Sequence, residues 1–404
     1  MTIKFLTPWI LFTAQIACAF SHTIPTIEAT SETDPIPYST KDTDDAAIWF
    51  NQNHPEKSLI LGTSKVTPTG DRKGGLGIYD LMGHEQEFLY GDKLNNVDTL
   101  TAVSHLNGGP VGWAVASNRT AKALDLFAIH TGGNVSKDRT IPLVDARGQS
   151  ITPYGLCTAH RLGHTEVFLP TKTGVLYRFR LSPNGDKQAT LIDSLDLASY
   201  VTREDDDFIK SIVEKTARAE NELEKLPEML AERFILEACA YQKSNDRLFV
   251  GMENFGIWSI DLRSKSKKAV TLFQKISGSW TDIDTWSHEG VLPRITDDIE
   301  GMDVFRSGDH DYLIVSSQGI SEFNIFDLDS NALLGNFKIQ IGSDQVTATD
   351  GVAVFSAPLS PALPEGVLVV HDDINTNPDG IIENANYKIV SLKKIIDTIV
   401  KSPK

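Results

Sequence analysis

The sequence predicts an all-β chain, a six-bladed β-propeller with a helical insertion between blades 3 and 4, on three observations. The first is a strand–turn–strand unit that recurs six times, as SLILGT…GGLGIYDL, GWAVASN…KALDLFAI, TEVFLPTKTGVLYRFRL, DRLFVGMENFGIWSIDL, YLIVSSQGISEFNIFDL and GVLVVHDDI…NYKIVSL. Alternation of apolar and polar residues marks strands with one buried face, and Gly, Asn and Asp at the turns suit hairpins. The second is the regularity of the recurrence. Six units in 404 residues fit blade repeats of about 40–60 residues, which bury their faces only by stacking on one another. A β-sandwich or two unrelated β domains would not repeat one hairpin so evenly. The third is the exception: residues 204–233, EDDDFIKSIVEKTARAENELEKLPEMLAER, are charged and helix-favouring.

From the N-terminus, one Lys precedes an apolar run from Phe5 to Ile16, and Ala17-Cys18-Ala19 follows as a small-x-small cleavage site. This reads as a secretory signal peptide over residues 1–19, with a propeller domain over 20–404. Gln15 argues against lipid attachment at Cys18. In the helical insertion, Ile209, Ile212, Val213, Leu223 and Leu226 are spaced for one face. Pro227 is expected to split the helix. The charge run reads as the solvated face of a removable excursion, with a lid as the second reading. A further insertion, SGSWTDIDTWSHEGVLPR, precedes the fifth blade, with Trp280 and Trp286 placed to pack on the rim. Cys157 and Cys239 sit in apolar strand-like runs and read as two buried thiols rather than a bridge. Asn118-Arg119-Thr120 and Asn134-Val135-Ser136 are glycosylation sequons. Asn134 falls at a loop tip, whereas a glycan on Asn118 would obstruct the segment around it.

The formal net charge of −16 at pH 7 repels nucleic acid and anionic membranes and attracts divalent cations. Acidic and basic residues gather at strand ends: Asp42, Asp44 and Asp45 before AIWF, Asn95, Asn96 and Asp98 in LNNVD, Arg119 in ASNR, Tyr154 in PYGL and Lys172 in PTKTG. Glu237 lies in LEAC, Glu253 in MENFGIW, Asp298 and Glu300 in DDIEG, Gln318 in SSQG, and Asp344 and Asp350 in DQVTATDG. Equivalent positions of successive blades converge on the central channel, so acids scattered along the chain can form one ring. Hard oxygen donors in such numbers suit Ca²⁺. Outside that fold each acid would be a turn former or a solvated side chain. The sequence has no His/Cys cluster with zinc spacing, no Walker loop and no GxSxG elbow.

The segments DDAAIWFNQNHPEKSLILGT, KGGLGIYDL, KLNNVD, ASNR, YGL, DDIEGMDVF, SSQG and TDGVAVF resemble, in this order, the β-propeller phytase family, over most of residues 32–395. The resemblance implies a secreted, monomeric, calcium-dependent phosphomonoesterase with several Ca²⁺ ions at an acidic channel mouth. Its small-molecule substrate would be phytate, cleaved by metal-activated water, with one phosphate attacked and a neighbouring one gripped. Arg119, Tyr154 and Lys172 would bind the phosphate to be cleaved, with Glu237 beside them. Lys73, with Arg72 or Lys65, and Asn95 and Asn96 would serve the rest of the substrate. Asp44, Asp45, Asp98, Glu237, Glu253, Asp298, Glu300, Gln318, Asp344 and Asp350 would ligate calcium or its waters, with Glu32 and Asp42 as peripheral ligands. These residue types suit the chemistry: Arg grips phosphate bidentately, Lys acts as a point charge, and phosphoryl transfer is mostly positioning and charge stabilisation.

The chain also departs from the family pattern. Two adjacent Lys of the first blade become SKVTPTGDRKGG, the acidic residue after the Lys172 position is Thr173, and Met252 replaces one acid of an acidic run. These changes thin the outer shell of the site more than its centre. Two rival readings remain open: a hydrolase of another phosphoester or a lactone on the same architecture, and a non-catalytic secreted binding propeller.

Overall fold

The six alternating hairpins become the second and third strands of six sheets, five of them four-stranded and that of blade V six-stranded. A computed structural model describes residues 24–38, 41–100, 109–181, 189–264, 266–285 and 295–401. The expected signal peptide and Trp286 lie outside the described residues. Blade I runs through Thr43–Trp49, Leu59–Ser64, Gly74–Tyr79 and Glu85–Gly91, and blade II through Leu94–Leu100, Gly112–Asn118, Ala123–Ile129 and Val135–Pro142. Blade III comprises Cys157–Arg161, His164–Leu169, Val175–Leu181 and Ala189–Asp196; blade IV comprises Leu236–Gln242, Arg247–Met252, Gly256–Asp261 and Val270–Lys275. Blade V comprises Met302–Ser307, His310–Ser317, Glu322–Asp327 and Ala332–Ile341.

Blade VI closes the ring. Val352–Phe355, Val367–Asp372 and Asn386–Ser391 take their fourth strand from the N-terminal Ser31–Glu32, antiparallel, with Ser31 opposite Ile389. The preceding Thr26–Glu28 adds in parallel to the outer strand of blade V. Both ends of the described chain are thereby woven into the last two blades.

Six apolar clusters fill the six blade-to-blade junctions, as stacking of two-faced sheets requires. At the closing junction the fit is tight. A Cβ on Gly62 would lie 2.3 Å from the ring of Tyr387, whose hydroxyl donates to Asp45 O at 3.1 Å and Thr63 O at 2.8 Å. The first strands of the blades line a central cavity of about 950 Å³.

Three of those inner strands carry one device. Asp45, Asp98 and Asp303 each accept, on one carboxylate oxygen, the N–H of the next residue: Ala46 at 2.8 Å, Thr99 at 2.6 Å and Val304 at 2.7 Å. The other oxygen accepts an N–H from the inner strand of the following blade: Val97 at 3.2 Å, Thr158 at 2.8 Å and Val354 at 2.7 Å. These carboxylates latch blade I to II, II to III and V to VI. Between blades III and IV the tie is covalent. Cys157 and Cys239, expected as free thiols, form a disulfide with Cα atoms 5.7 Å apart, because the propeller sets the two inner strands side by side.

The insertion also differs from expectation. Helix α1 (Arg203–Ala219) buries Ile209, Ile212, Val213, Thr216 and Ala217, and Ile209 and Ile212 join the cores of junctions III/IV and IV/V. It is a packed element, not a removable excursion. Pro227 does not split a helix: it stands in the first turn of α2 (Leu226–Ala231), where its missing N–H costs nothing. The chain breaks earlier, at Asn221, whose φ is 60°. Trp280 packs against Gly319, on the site side of blade V. Asn118 is buried and spends its amide on Asp92 and Asp125, so its sequon is closed to a glycan; Asn134 is exposed.

Candidate active site

The carboxylates predicted to converge do so in the main. Glu237 opens the inner strand of blade IV, Glu253 follows the second strand of that blade, and Glu300 precedes the inner strand of blade V. A carboxylate oxygen from each lies within 4.8 Å of the others. Glu237 Oε2, Glu253 Oε1 and Asp44 Oδ1 are buried without a hydrogen-bond partner. Burial, then the Asp44 charge, pushes Glu237 up to about 8. Burial raises Glu253, Glu300 and Asp298 well above the usual carboxylate range, each reinforced by acidic neighbours. Asp44 rises to about 6, mainly through burial, with Lys65 opposing.

Lys65 is the cation inside this cluster. Its ammonium pairs with Asp44 at 3.2 Å and with Asp350. Burial opposes its charge, but the fields of Asp350, Asp44, Glu300 and Glu237 outweigh that and raise its pKa. Asp350 is lowered despite burial, chiefly by Lys65. The Gln318 amide bridges Glu300, at 2.9 Å, and Asp350.

The opposite side of the mouth is cationic and aromatic. Arg119, at the end of a blade II strand, donates from its guanidinium to Asn95 Oδ1 at 3.1 Å, and the Asn95 amide donates to Glu237 Oε1 at 2.8 Å. Asn95 thereby links the cationic side to the acidic one. Tyr154 stands between two cations, with Arg119 and Lys172 each 4.9 Å from its ring centroid. Gly155 is required beside it: a Cβ there would lie 1.9 Å from Glu237 O. Burial, followed by Glu237, Glu253 and Glu300, raises the Tyr154 pKa, so its hydroxyl keeps its proton.

Several predicted residues lie elsewhere. Asp45 and Asp98, expected as metal ligands, each hold N–H donors on both oxygens and latch neighbouring blades; Asn96 donates to Asp45 Oδ2 at 3.2 Å. Asp344 and Glu32, also expected as ligands, are engaged by a lysine. They flank the buried ammonium of Lys388, at 2.7 and 2.6 Å, with Asp372 at 3.0 Å, so a lysine already supplies the positive charge there. Arg72 and Lys73 stand exposed near the Thr69–Arg72 turn, and Arg72 donates to Tyr38 O at 3.2 Å; the basic residue among the site carboxylates is Lys65. Asp42 lies 3.8 Å from Arg72 at the edge. Sequence reasoning missed Asp303 and Glu232. The first differs from a turn acid only through its partner on another blade, and the second belongs to the insertion.

Fold and site together define a six-bladed propeller whose channel mouth sets hard oxygen donors against an Arg–Tyr–Lys cluster. The chain belongs to the phytase family, which matches residues 5–195 and 246–404. It is 27% identical over 384 residues, 93% of this chain and 86% of that protein, to the 3-phytase of Bacillus subtilis strain 168. Among solved structures it is similar to Sqt1 of Chaetomium thermophilum bound to the N-terminus of the ribosomal protein L10, with TM-score 0.44, 14% identity, and 89% and 90% of the two chains covered. Another is a functionally unknown protein from Desulfotomaculum acetoxidans DSM 771, with TM-score 0.41, 9% identity and coverage of 72% and 70%.

Proposed function

We propose that this protein is a secreted, calcium-dependent phytase that releases phosphate from phytate through attack by water. The observation that carries the reading is one channel mouth holding both an Arg–Tyr–Lys cluster and three converging carboxylates, two of which, Glu237 and Glu253, keep a partnerless buried oxygen. Family membership and the relative named 3-phytase support the substrate class. Export by residues 1–19 and action as a monomer are part of the proposal.

The donor set fits Ca²⁺. Like-charged carboxyls packed this closely, with raised pKa values, need either protons or a cation. Glu237, Glu253 and Glu300 would hold the ion, with Asp44, Asp298, Asp350 and Gln318 around them. When bound it supplies charge neutralisation and Lewis acidity.

The chain's own groups do the rest. Arg119 presents a planar fork to two oxygens of the phosphate, and Asn95 fixes that fork from behind. Lys172 adds a point charge, and the Tyr154 hydroxyl donates a hydrogen bond. Glu237, held through Oε1 by Asn95, keeps Oε2 for the ion. Lys65 draws a further phosphate toward the acidic side.

The test is phosphate release from phytate with added calcium and with excess chelator. Release with calcium and its loss in chelator are expected. Release from nucleotides or other monoesters but not phytate would reassign the substrate, and no release from any of them would make this a binding propeller.

A further inference from the structure

The insertion falls in the gap between the two family-matched stretches, 5–195 and 246–404, yet its end reaches the candidate site. Glu232, directly after α2, accepts from the Lys172 ammonium at 3.1 Å. Neither side chain has another ion-pair partner among the described residues. Glu232 is fixed from behind. Its N–H donates to Glu228 O at 3.0 Å, its C=O accepts from Ile235 N at 3.0 Å, and Arg233 clamps onto Asp206 of α1 at 2.5 Å. Leu236 N donates to Thr171 O at 3.1 Å, which ties the end of the insertion to the turn that carries Lys172.

We propose that Glu232 is a positioning residue for Lys172: it holds the ammonium against Tyr154, in the pose that meets the phosphate, while competing with the phosphate for it. The inference rests on the phosphatase reading above. Lys172 is a long chain on an irregular turn, with rotamers to lose. Two contacts restrict it, the Tyr154 ring and the Glu232 carboxylate. The ring alone leaves it little reason to stay, because Arg119 lies against the same ring and repels it. The carboxylate supplies the counter-pull. Both partners of the pair are about a third exposed or more, at 34% and 40%, so the bond is weak enough to yield to a phosphate. An ammonium has three donors, and one can remain on Glu232 while others turn to the substrate.

The charge and the pose act in opposite directions. Removing the carboxylate charge relieves repulsion against an incoming anion, which tightens ground-state binding. It also frees Lys172 to sample other rotamers, which slows turnover. Glu232→Gln is therefore expected to lower KM for phytate about two- to five-fold and to lower kcat about three- to ten-fold, with the melting temperature unchanged. Glu232→Asp, which keeps the charge, should restore the wild-type KM. A purely structural glutamate would shift melting and leave this paired fall unseen.

Calorimetric titration with inorganic phosphate gives a reading independent of turnover. The affinity should rise by the same factor in Glu232→Gln, and the gain should vanish in a Lys172→Met background. An unchanged phosphate affinity in Glu232→Gln, or an equal gain without Lys172, overturns the proposal. Failure of the wild-type protein to hydrolyse phytate would overturn the phytase reading instead, and the phosphate titration would still decide the link between the two residues.

Discussion

On one side of the channel mouth, Arg119, Tyr154 and Lys172 come from strand ends and turns of blades II and III and keep half-buried side chains. On the other, Asp44, Glu237, Glu253, Glu300 and Asp350 come from blades I, IV, V and VI, and most are buried. The cationic side is added to a scaffold that would fold without it. The acidic side is built into the scaffold and strains it, since burial and mutual repulsion raise four of these five pKa values. Changes on the first side should therefore alter chemistry, and changes on the second should alter chemistry and stability together.

The sharpest break of that contrast is Arg119→Lys. Lysine keeps the charge but loses the bond to Asn95 and the planar fork that, on the proposed function, would grip two phosphoryl oxygens. Turnover of phytate is expected to fall about 10²- to 10³-fold, with melting and calcium response unchanged. Wild-type turnover by the folded variant would remove Arg119 from the site.

The acidic side answers to pH and metal. A carboxyl whose pKa is raised by folding keeps its proton in the fold where the unfolded chain has lost it. Its contribution to stability is full below the ordinary range near 4 and is lost as pH rises through the folded value. That value is about 6 for Asp44 and about 8 for Glu237. In excess chelator the melting temperature should therefore fall from pH 5 to pH 8.5, by a few degrees. On the proposed function added calcium should reverse the fall, because an ion held by the folded ring alone would stabilise it. A calcium-free melting temperature that rises over this range would contradict the strained-ring account.

The same contrast explains what the sequence disclosed. Hairpin strands such as Leu59–Ser64 with Gly74–Tyr79 were legible through alternation and turn residues. Outer strands such as Ala189–Asp196 were not, since neither face is fully buried and their pattern is that of a loop. Arg119 and Tyr154 were legible because they stand in ASNR and YGL, two short segments of the collinear family pattern, and Lys172 because it stands in the strand-end turn PTKTG. The roles of individual acids were not. Asp98 and Glu300 look alike in sequence, and only the neighbouring blade shows that one is bound by N–H groups while the other faces carboxylates. The Cys157–Cys239 bridge, 82 residues apart in sequence, and the Lys172–Glu232 pair likewise depend on which blades adjoin.

Asp98→Ala is the smallest test, and it separates latch carboxylates from site carboxylates. Asp98 Oδ2 accepts both the N–H and the hydroxyl of Thr158, at 2.8 Å each, and Oδ1 accepts Thr99 N–H at 2.6 Å. These bonds offset the burial that raises its pKa. Alanine leaves partly buried N–H groups at the II/III junction without acceptors, a loss of about 2 kcal/mol. A metal ligand removed from the mouth would instead lower calcium affinity and turnover. Urea unfolding of Asp98→Ala should show the lost stability, while calcium titration and phytate turnover match the wild type. Weakened calcium binding at undiminished stability would return Asp98 to the metal site and leave blades II and III without their latch.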